Sequence, residues 1–348
     1  MLTWIYSMFG EAWGPLRLFN SFFFLSATGF AVTTLATWIL LPKLWGHLPT
    51  DQGRAFAVNA ELSVGKPVSA GLIFVTLFCI AAVLFVPFGS RCLYTVPIVL
   101  AAMMVGYFDD RRGGFNEYTL AVFDLVIAAT AALVICGTEV TPIWLPGWKE
   151  TIFLSPWLSI PLATGTIWIS INATNCSDGV DGVSGSLAGT AIMVLGGLLY
   201  TVIGNSVVAG HLSIPVNHEG ANWAIMAFLM VGCLAGYLWY NAAPSLVLMG
   251  DAGSRPLGLL IGMLVVATNN PTFIFLVASV ILLNGATGLF KVALLRFFGL
   301  RILGNIRFPL HDHCRKELGW SNTQVLVRFL MVQMGLSALL VLLVLKVR

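Results

Sequence analysis

Ten apolar runs constrain this chain more than any other feature. They lie at about 18–41, 69–88, 93–108, 118–136, 158–174, 186–204, 222–240, 254–268, 272–298 and 323–346, and each is judged against the roughly 20 residues that a helix needs to cross a ~30 Å hydrocarbon core. The chain is 58% hydrophobic and only 9% charged, far from the roughly 25% charged residues of soluble domains. The expectation is an all-α integral membrane protein of about ten transmembrane helices, forming one polytopic domain over residues 1–348. A net charge of +3 without a Lys/Arg run excludes nucleic acid as a partner. The six cysteines are scattered singly and imply no disulfide framework. No positive charge precedes the first apolar stretch apart from Arg17 at its edge, so a removable signal peptide is not expected.

Two runs are irregular. The eighth is too short to span upright, because about 15 residues rise only about 22 Å, so the preceding Leu248–Asp251 segment is expected to dip into the membrane, lined by protein. The ninth holds Asn284-Gly285 and then Lys291 and Arg296, which predicts a bent helix running out along the interface. Loops after odd-numbered runs share one side. That side carries 13 Lys/Arg, including Arg54 and Lys66, against 5 on the other, so it is cytoplasmic and both termini are outside. The external segment 137–157, with three tryptophans among prolines, reads as a short turn or hairpin at the aromatic belt. His211 and His218 read as solvated loop residues.

Four polar stretches fall on the cytoplasmic side: Gly106–Gly114 (GYFDDRRGG), Asn172–Gly185 (NATNCSDGVDGVSG), Leu248–Gly258 (LMGDAGSRPLG) and Arg307–Lys316 (RFPLHDHCRK). Carboxylates near hydrocarbon are costly, so their convergence points to function. On a helix Asp109 and Asp110 point about 100° apart, and only one can face a given ligand. Asp251 sits between an apolar run and glycine, where a cation is its natural partner. With Asp178 and Asp181 nearby and no lysine inside the motifs, the site expects a metal, Mg²⁺ or Mn²⁺ in preference to Zn²⁺. Glycines beside the aspartates allow backbone N–H groups to cradle phosphate. His311, His313, Arg315 and Lys316 form the cationic complement, and a zinc site there lacks further ligands.

Bland readings compete with these. The histidine loop can be a surface turn after Pro309, the aspartates interfacial charges or salt bridges, and Lys66 and Arg54 positive-side anchors. Glu117, Asp124 and Lys291 read as helix-face charges. A cation-coupled transporter is a further alternative, but the acids gather at one face and not at the midplane, and the halves of the chain show no resemblance to each other.

The ordered motifs YFDD, NATNCSDGVDG, WYNAAPSLVLMGDAGS and PLHDHCRKELGW resemble the polyprenyl-phosphate N-acetylhexosamine-1-phosphate transferases, nearest their phospho-N-acetylmuramoyl-pentapeptide branch. The resemblance runs from Lys66-Pro67 to the last span. It implies ten helices, a cytoplasmic site in the cell (inner or plasma) membrane, Mg²⁺ dependence, and a homodimer. The implied reaction moves phospho-sugar from a UDP-sugar to undecaprenyl phosphate with release of UMP. On this resemblance Asp251 is the principal metal ligand with Asn175 or Asp110 near it, and Asp109 accepts a proton from, or positions, the polyprenyl phosphate. Lys66, Asn172, Asn175, Asp178, Asp181 and Asn241 contact nucleoside or sugar, and His311 and His313 the phosphates. Direct attack by the lipid phosphate and a phospho-aspartyl intermediate both stay open. Asp312 stands where the family has a histidine and Leu248 where it tends to have an aromatic on uracil. The basic stretch after the aspartate pair is short, and the lysine usual early in span 4 is not apparent. The alternative substrate is UDP-N-acetylglucosamine or a related UDP-sugar.

Overall fold

A computed structural model describes residues 1–11, 13–53, 63–148 and 150–346; Arg54, read above as an anchor or substrate contact, lies outside them. The helices in chain order are α1 (Leu2–Phe9), α2 (Phe22–Leu44), α3 (Gly71–Phe85), α4 (Val96–Arg112), α5 (Glu117–Cys136), α6 (Pro156–Cys176), α7 (Val183–Leu198), α8 (Ser206–His211), α9 (Gly220–Asn241) and α10 (Asp251–Ala267). They continue with α11 (Ile274–Val277), α12 (Ser279–Ile281), α13 (Thr287–Phe298), α14 (Leu310–Lys316) and α15 (Asn322–Lys346). Local chemistry sets their ends. Asn116 caps α5 by accepting from the Tyr118 N–H at 3.0 Å, and Gly113, at φ +77°, closes α4 in the left-handed conformation that glycine adopts without strain.

Each of the ten apolar runs falls on helix, but among the described residues seven helices are both long and apolar enough to cross a membrane. Of the other three, α3 and α10 have 15 and 17 residues, while α6 has 21 but ends in the polar NATNC motif. Among the described residues the regular structure is helical apart from a two-stranded hairpin, β1 (Thr141–Ile143) with β2 (Ile152–Leu154), inside the segment read as a turn or hairpin, and a single bridge between Thr50 and Pro67.

All 17 residues of α10 are buried. The sequence makes this packing possible through small residues that let backbones touch. A Cβ on Gly71 of α3 would lie 2.1 Å from the Gly253 nitrogen, one on Gly106 of α4 2.2 Å from the Asp251 carbonyl oxygen, and one on Gly262 2.7 Å from the Ile167 Cα of α6. Such contacts are how helices associate where no water drives them together. The hairpin latches the far end of α10: the Trp144 indole N–H donates to the Thr268 carbonyl at 3.1 Å, and its ring meets Phe273 edge-on. The tryptophan-rich segment is therefore an anchor for α10.

The ninth run is broken, as its composition predicts, but the cause lies elsewhere in the chain. Gln333 of α15 is fully buried. Its amide oxygen accepts from Val280 N–H at 3.0 Å, and its nitrogen donates to the carbonyls of Leu276 and Val277 at 3.0 and 2.8 Å. A side chain inserted into the backbone ladder separates α11 from α12, and a π-helical turn, Leu282–Ala286, follows. Lys291, read as a helix-face charge, donates to the carbonyls of Leu303 and Ile306 at 3.0 and 2.9 Å and ties down the loop after α13.

Gly106→Val is expected to lower stability by about 1–3 kcal/mol or more, the usual cost of overpacking, because its added Cβ meets backbone. Gly197→Ala, where nothing lies within 4 Å of the new Cβ, serves as control. Thermal midpoints in detergent check this, and equal midpoints for both variants would contradict the packing argument.

Candidate active site at the head of the central helix

The buried helix α10 carries a charge that hydrocarbon surroundings cannot leave unpaired. Arg255 is 3% exposed. Its Nη1 contacts Asp124 of α5 at 2.6 Å, and its Nε and Nη2 contact Asp251, one turn earlier, at 3.2 and 3.0 Å. A buried guanidinium suits this task because its rigid fork reaches two carboxylates at once. The salt-bridge reading of Asp251 is thus realised. Two sequence readings are corrected: Asp124 is not a helix-face charge but a buried member of this pair, 1% exposed, and the Leu248–Gly258 motif supplies its own cation. The i,i+4 spacing of Asp251 and Arg255 is the signal that could have found it. Glu117 does behave as a surface charge, pairing loosely with Arg296 at 3.5 Å.

Asp110 is turned to the start of α10. Its carboxylate accepts from the Asp251 and Ala252 N–H groups at 3.1 and 3.3 Å and from the Ser69 hydroxyl at 2.6 Å. It caps the helix from another segment, satisfying N–H groups that have no partner within the helix. Gly250 makes room, since at φ +68° a Cβ there would lie 2.3 Å from the Asp110 carboxylate. Asp109 is half-buried, accepts from Phe115 N–H at 2.5 Å, and interacts electrostatically with Asp251. The two adjacent aspartates therefore face different groups: Asp110 holds the helix and Asp109 borders Asp251.

Asn175, at the end of α6, donates to Asp251 at 3.1 Å and accepts from the Ser254 hydroxyl at 2.7 Å. It orients the Asp251 carboxylate. Asn172 donates to Trp168 O in its own helix at 2.9 Å and reaches Asp124. Asn241, read as a substrate contact, is buried: it accepts from Gly182 N–H at 2.9 Å and donates to Val247 O at 2.8 Å, joining the α6–α7 turn to the loop before α10.

Beside Asp251 opens a cavity of about 690 Å³. Lys66, Asp178, Asp181, Asn241, Leu248 and Arg315 line it. Lys66 donates to the Ser245 hydroxyl at 3.2 Å, and that hydroxyl donates to Asp181 at 2.8 Å. Ser245 was missed in the sequence because nothing in it marks a lone serine as the link between an acid and a lysine. Asp109, Asp110, Asn172, Asn175, Asp251 and the histidines lie off this lining.

His311 is buried, and burial lowers its pKa to about 4, with Asp312 opposing the shift and Arg315 adding to it. It is neutral at pH 7, so the cationic part of its loop rests on Arg315 and Lys316, with His313 half-buried against Arg307 N–H at 3.5 Å. Asp312 lies 3.8 Å from both His311 and Arg315.

Among the described residues no three His, Cys, Asp or Glu side chains converge as a metal site. The chemistry of the donors still fits Mg²⁺ or Mn²⁺: Asp251 and Asp109 offer only oxygen and interact with each other beside the single Arg255 guanidinium, and Mg²⁺ is held by one or two carboxylates while keeping water and substrate phosphates as its other ligands. Asn175, read as a further ligand, has its amide nitrogen on Asp251 and its oxygen on the Ser254 hydroxyl.

Comparison with known proteins extends this geometry. The chain is 42% identical over 324 residues, 92% of its length and 89% of the other's, to a protein of Treponema pallidum (strain Nichols) named phospho-N-acetylmuramoyl-pentapeptide-transferase. A model described as Glycosyl transferase family 4 matches residues 92–269, from the start of α4 past the end of α10. The chain belongs to this family. A second relative, of the same printed name from Nautilia profundicola, is 26% identical over 361 residues and the full length of both. Every member of the carboxylate–arginine cluster lies within the matched stretch. The family membership and the seven spans make this a multi-pass protein of the cell membrane.

Two outcomes are expected. Arg255→Met leaves two buried carboxylates uncompensated and costs about 3–5 kcal/mol; adding Asp124→Asn recovers part of this, and unfolding in detergent that shows equal losses would sink the pairing. For His311, the folded pKa lies below the unfolded value, so between about pH 6.5 and about 4 only the unfolded chain takes up the proton. Stability is full above this window and falls as pH drops through it. His311→Gln is expected to flatten that slope in thermal midpoint against pH.

Proposed function

We propose that this protein transfers phospho-N-acetylmuramoyl-pentapeptide from UDP to undecaprenyl phosphate, releasing UMP and forming the first lipid-linked peptidoglycan precursor, lipid I. The observation that carries the reading is 42% identity over 92% of the chain to a transferase of that name. The chain crosses the membrane ten times, the seven long helices joined by α3, α6 and α10. The 13-to-5 asymmetry of Lys and Arg supports a cytoplasmic site and external termini.

Each residue has a task that its environment supports. Asp251, oriented by Asn175 and Arg255, would hold Mg²⁺, with Mn²⁺ as a substitute; when bound, the ion supplies charge neutralisation for the diphosphate and the departing UMP. Asp109 accepts the proton of, or aligns, the lipid phosphate at the Asp251 side of the cluster. Asp110 keeps the start of α10 in register. Lys66, Asp178 and Asp181 hold the nucleotide sugar in the adjoining cavity, whose volume suits a ligand of this size. Leu248 contributes an apolar wall there without aromatic stacking. Arg315, His311 and His313 meet the phosphates.

The test is UMP release by the purified protein with Mg²⁺ and undecaprenyl phosphate. Release with UDP-N-acetylmuramoyl-pentapeptide and none with UDP-N-acetylglucosamine is expected; the reverse would move the protein to the other branch of the family. Asp251→Asn is expected to lower the rate ~10²-fold or more, since a metal ion supplies several kcal/mol of transition-state stabilisation. A wild-type rate in that variant would remove the metal assignment.

A further inference from the structure

Asn284 lies in the π-helical turn of the ninth run and is fully buried. Its amide oxygen lies 2.9 Å from the His311 backbone nitrogen and 3.1 Å from His311 Nδ1. The backbone N–H is always a donor, so the atom facing it is the amide oxygen. The same oxygen can receive Nδ1 only if Nδ1 carries the proton. The imidazole is then the Nδ1–H tautomer, with the lone pair on Nε2. That lone pair is turned onto the Asn172–Gly185 motif: a Cβ on Gly179 would sit 2.3 Å from Nε2. A π-turn is an uncommon device, often found where a helix must aim a side chain at a site. This one is clamped twice, by Gln333 at the break before it and by Gly285, whose Cβ would lie 2.2 Å from the Ala173 carbonyl of α6.

We infer that Asn284 is a positioning residue, which fixes the tautomer and direction of the His311 imidazole so that Nε2 faces the turn between α6 and α7. The inference goes beyond the proposed transfer reaction and rests on it for the catalytic consequence. Asp312 Oδ1 lies 3.8 Å from Nε2, beyond hydrogen-bond reach. Asp312 and Arg315 belong to its own helix; the π-turn brings no ionisable side chain; the α6–α7 turn brings Gly179 beside Asp178; and on α15 the Arg328 guanidinium lies 4.2 Å over the Trp320 ring. Asn284 is thus a neutral acceptor at a place where a carboxylate would instead favour the imidazolium.

Two variants test this, with two readouts. Asn284→Leu removes the acceptor, and kcat for UMP release is expected to fall ~10–100-fold, the range that follows when a buried hydrogen-bonding group loses its partner, with KM for the UDP-sugar within about twofold. Asn284→Asp keeps the acceptor and adds charge. It is expected to retain most of kcat near neutral pH, to shift the acid limb of the kcat profile upward, and to reduce the loss of thermal midpoint between about pH 6.5 and 4. Wild-type kcat in Asn284→Leu, or an Asn284→Asp stability profile that superimposes on wild type, would overturn the inference. The stability profile requires no turnover. Failure of the wild-type protein to release UMP would therefore count against the proposed reaction, while the link between Asn284 and His311 would still be decided.

Discussion

A single guanidinium in the middle of the molecule governs how the rest is arranged. Arg255 is enclosed by protein on a helix whose residues are all buried, and an isolated charge in such surroundings is not sustainable. Its fork must be met by two carboxylates, so α5 has to present Asp124 and the first turn of α10 has to present Asp251. That requirement fixes the rotation of α10 and its height against α5. The glycines of α3 and α4 and of α10 itself then allow the neighbouring backbones to close in. The site is a by-product of the same constraint, because the carboxylate that neutralises Arg255 from its own helix stands at the end where α10 meets the polar loops.

Around that end the polar residues divide into those that build and those that face outward. Asp110 caps α10, Asn241 ties two loops together, and Asn175 orients Asp251. Each has its hydrogen-bonding groups turned to protein. Asp109, Lys66, Asp178 and Asp181 border Asp251 or the cavity beside it. A cluster in which some polar groups are fully engaged and others are turned to a cavity can hold a charged ligand without losing its own shape, which is the preorganisation that electrostatic catalysis needs.

The helices were legible because every run had to satisfy its backbone within itself in lipid, so length and apolarity located all ten segments to within a few residues. The convergence of the four polar stretches was legible from loop parity. What could not be read was which polar atom meets which. The capping role of Asp110 depends on Ser69 and on backbone 141 residues away. The break in the ninth run looked like a property of Asn284-Gly285, but Gln333, some 50 residues later, inserts into it. His311 read as cationic because its sequence neighbours are Arg315 and Lys316; burial against the turn at Gly179 makes it neutral. Local chemistry sits in the sequence, whereas desolvation belongs to the assembled fold.

The proposed binding site for a hard divalent ion lies on the carboxylates at the start of α10. Electron paramagnetic resonance of Mn²⁺ titrated into the purified protein tests this without turnover. The account predicts a bound Mn²⁺ population that is lost in Asp251→Asn and retained in His311→Gln. Equal Mn²⁺ binding by wild type and Asp251→Asn would contradict it.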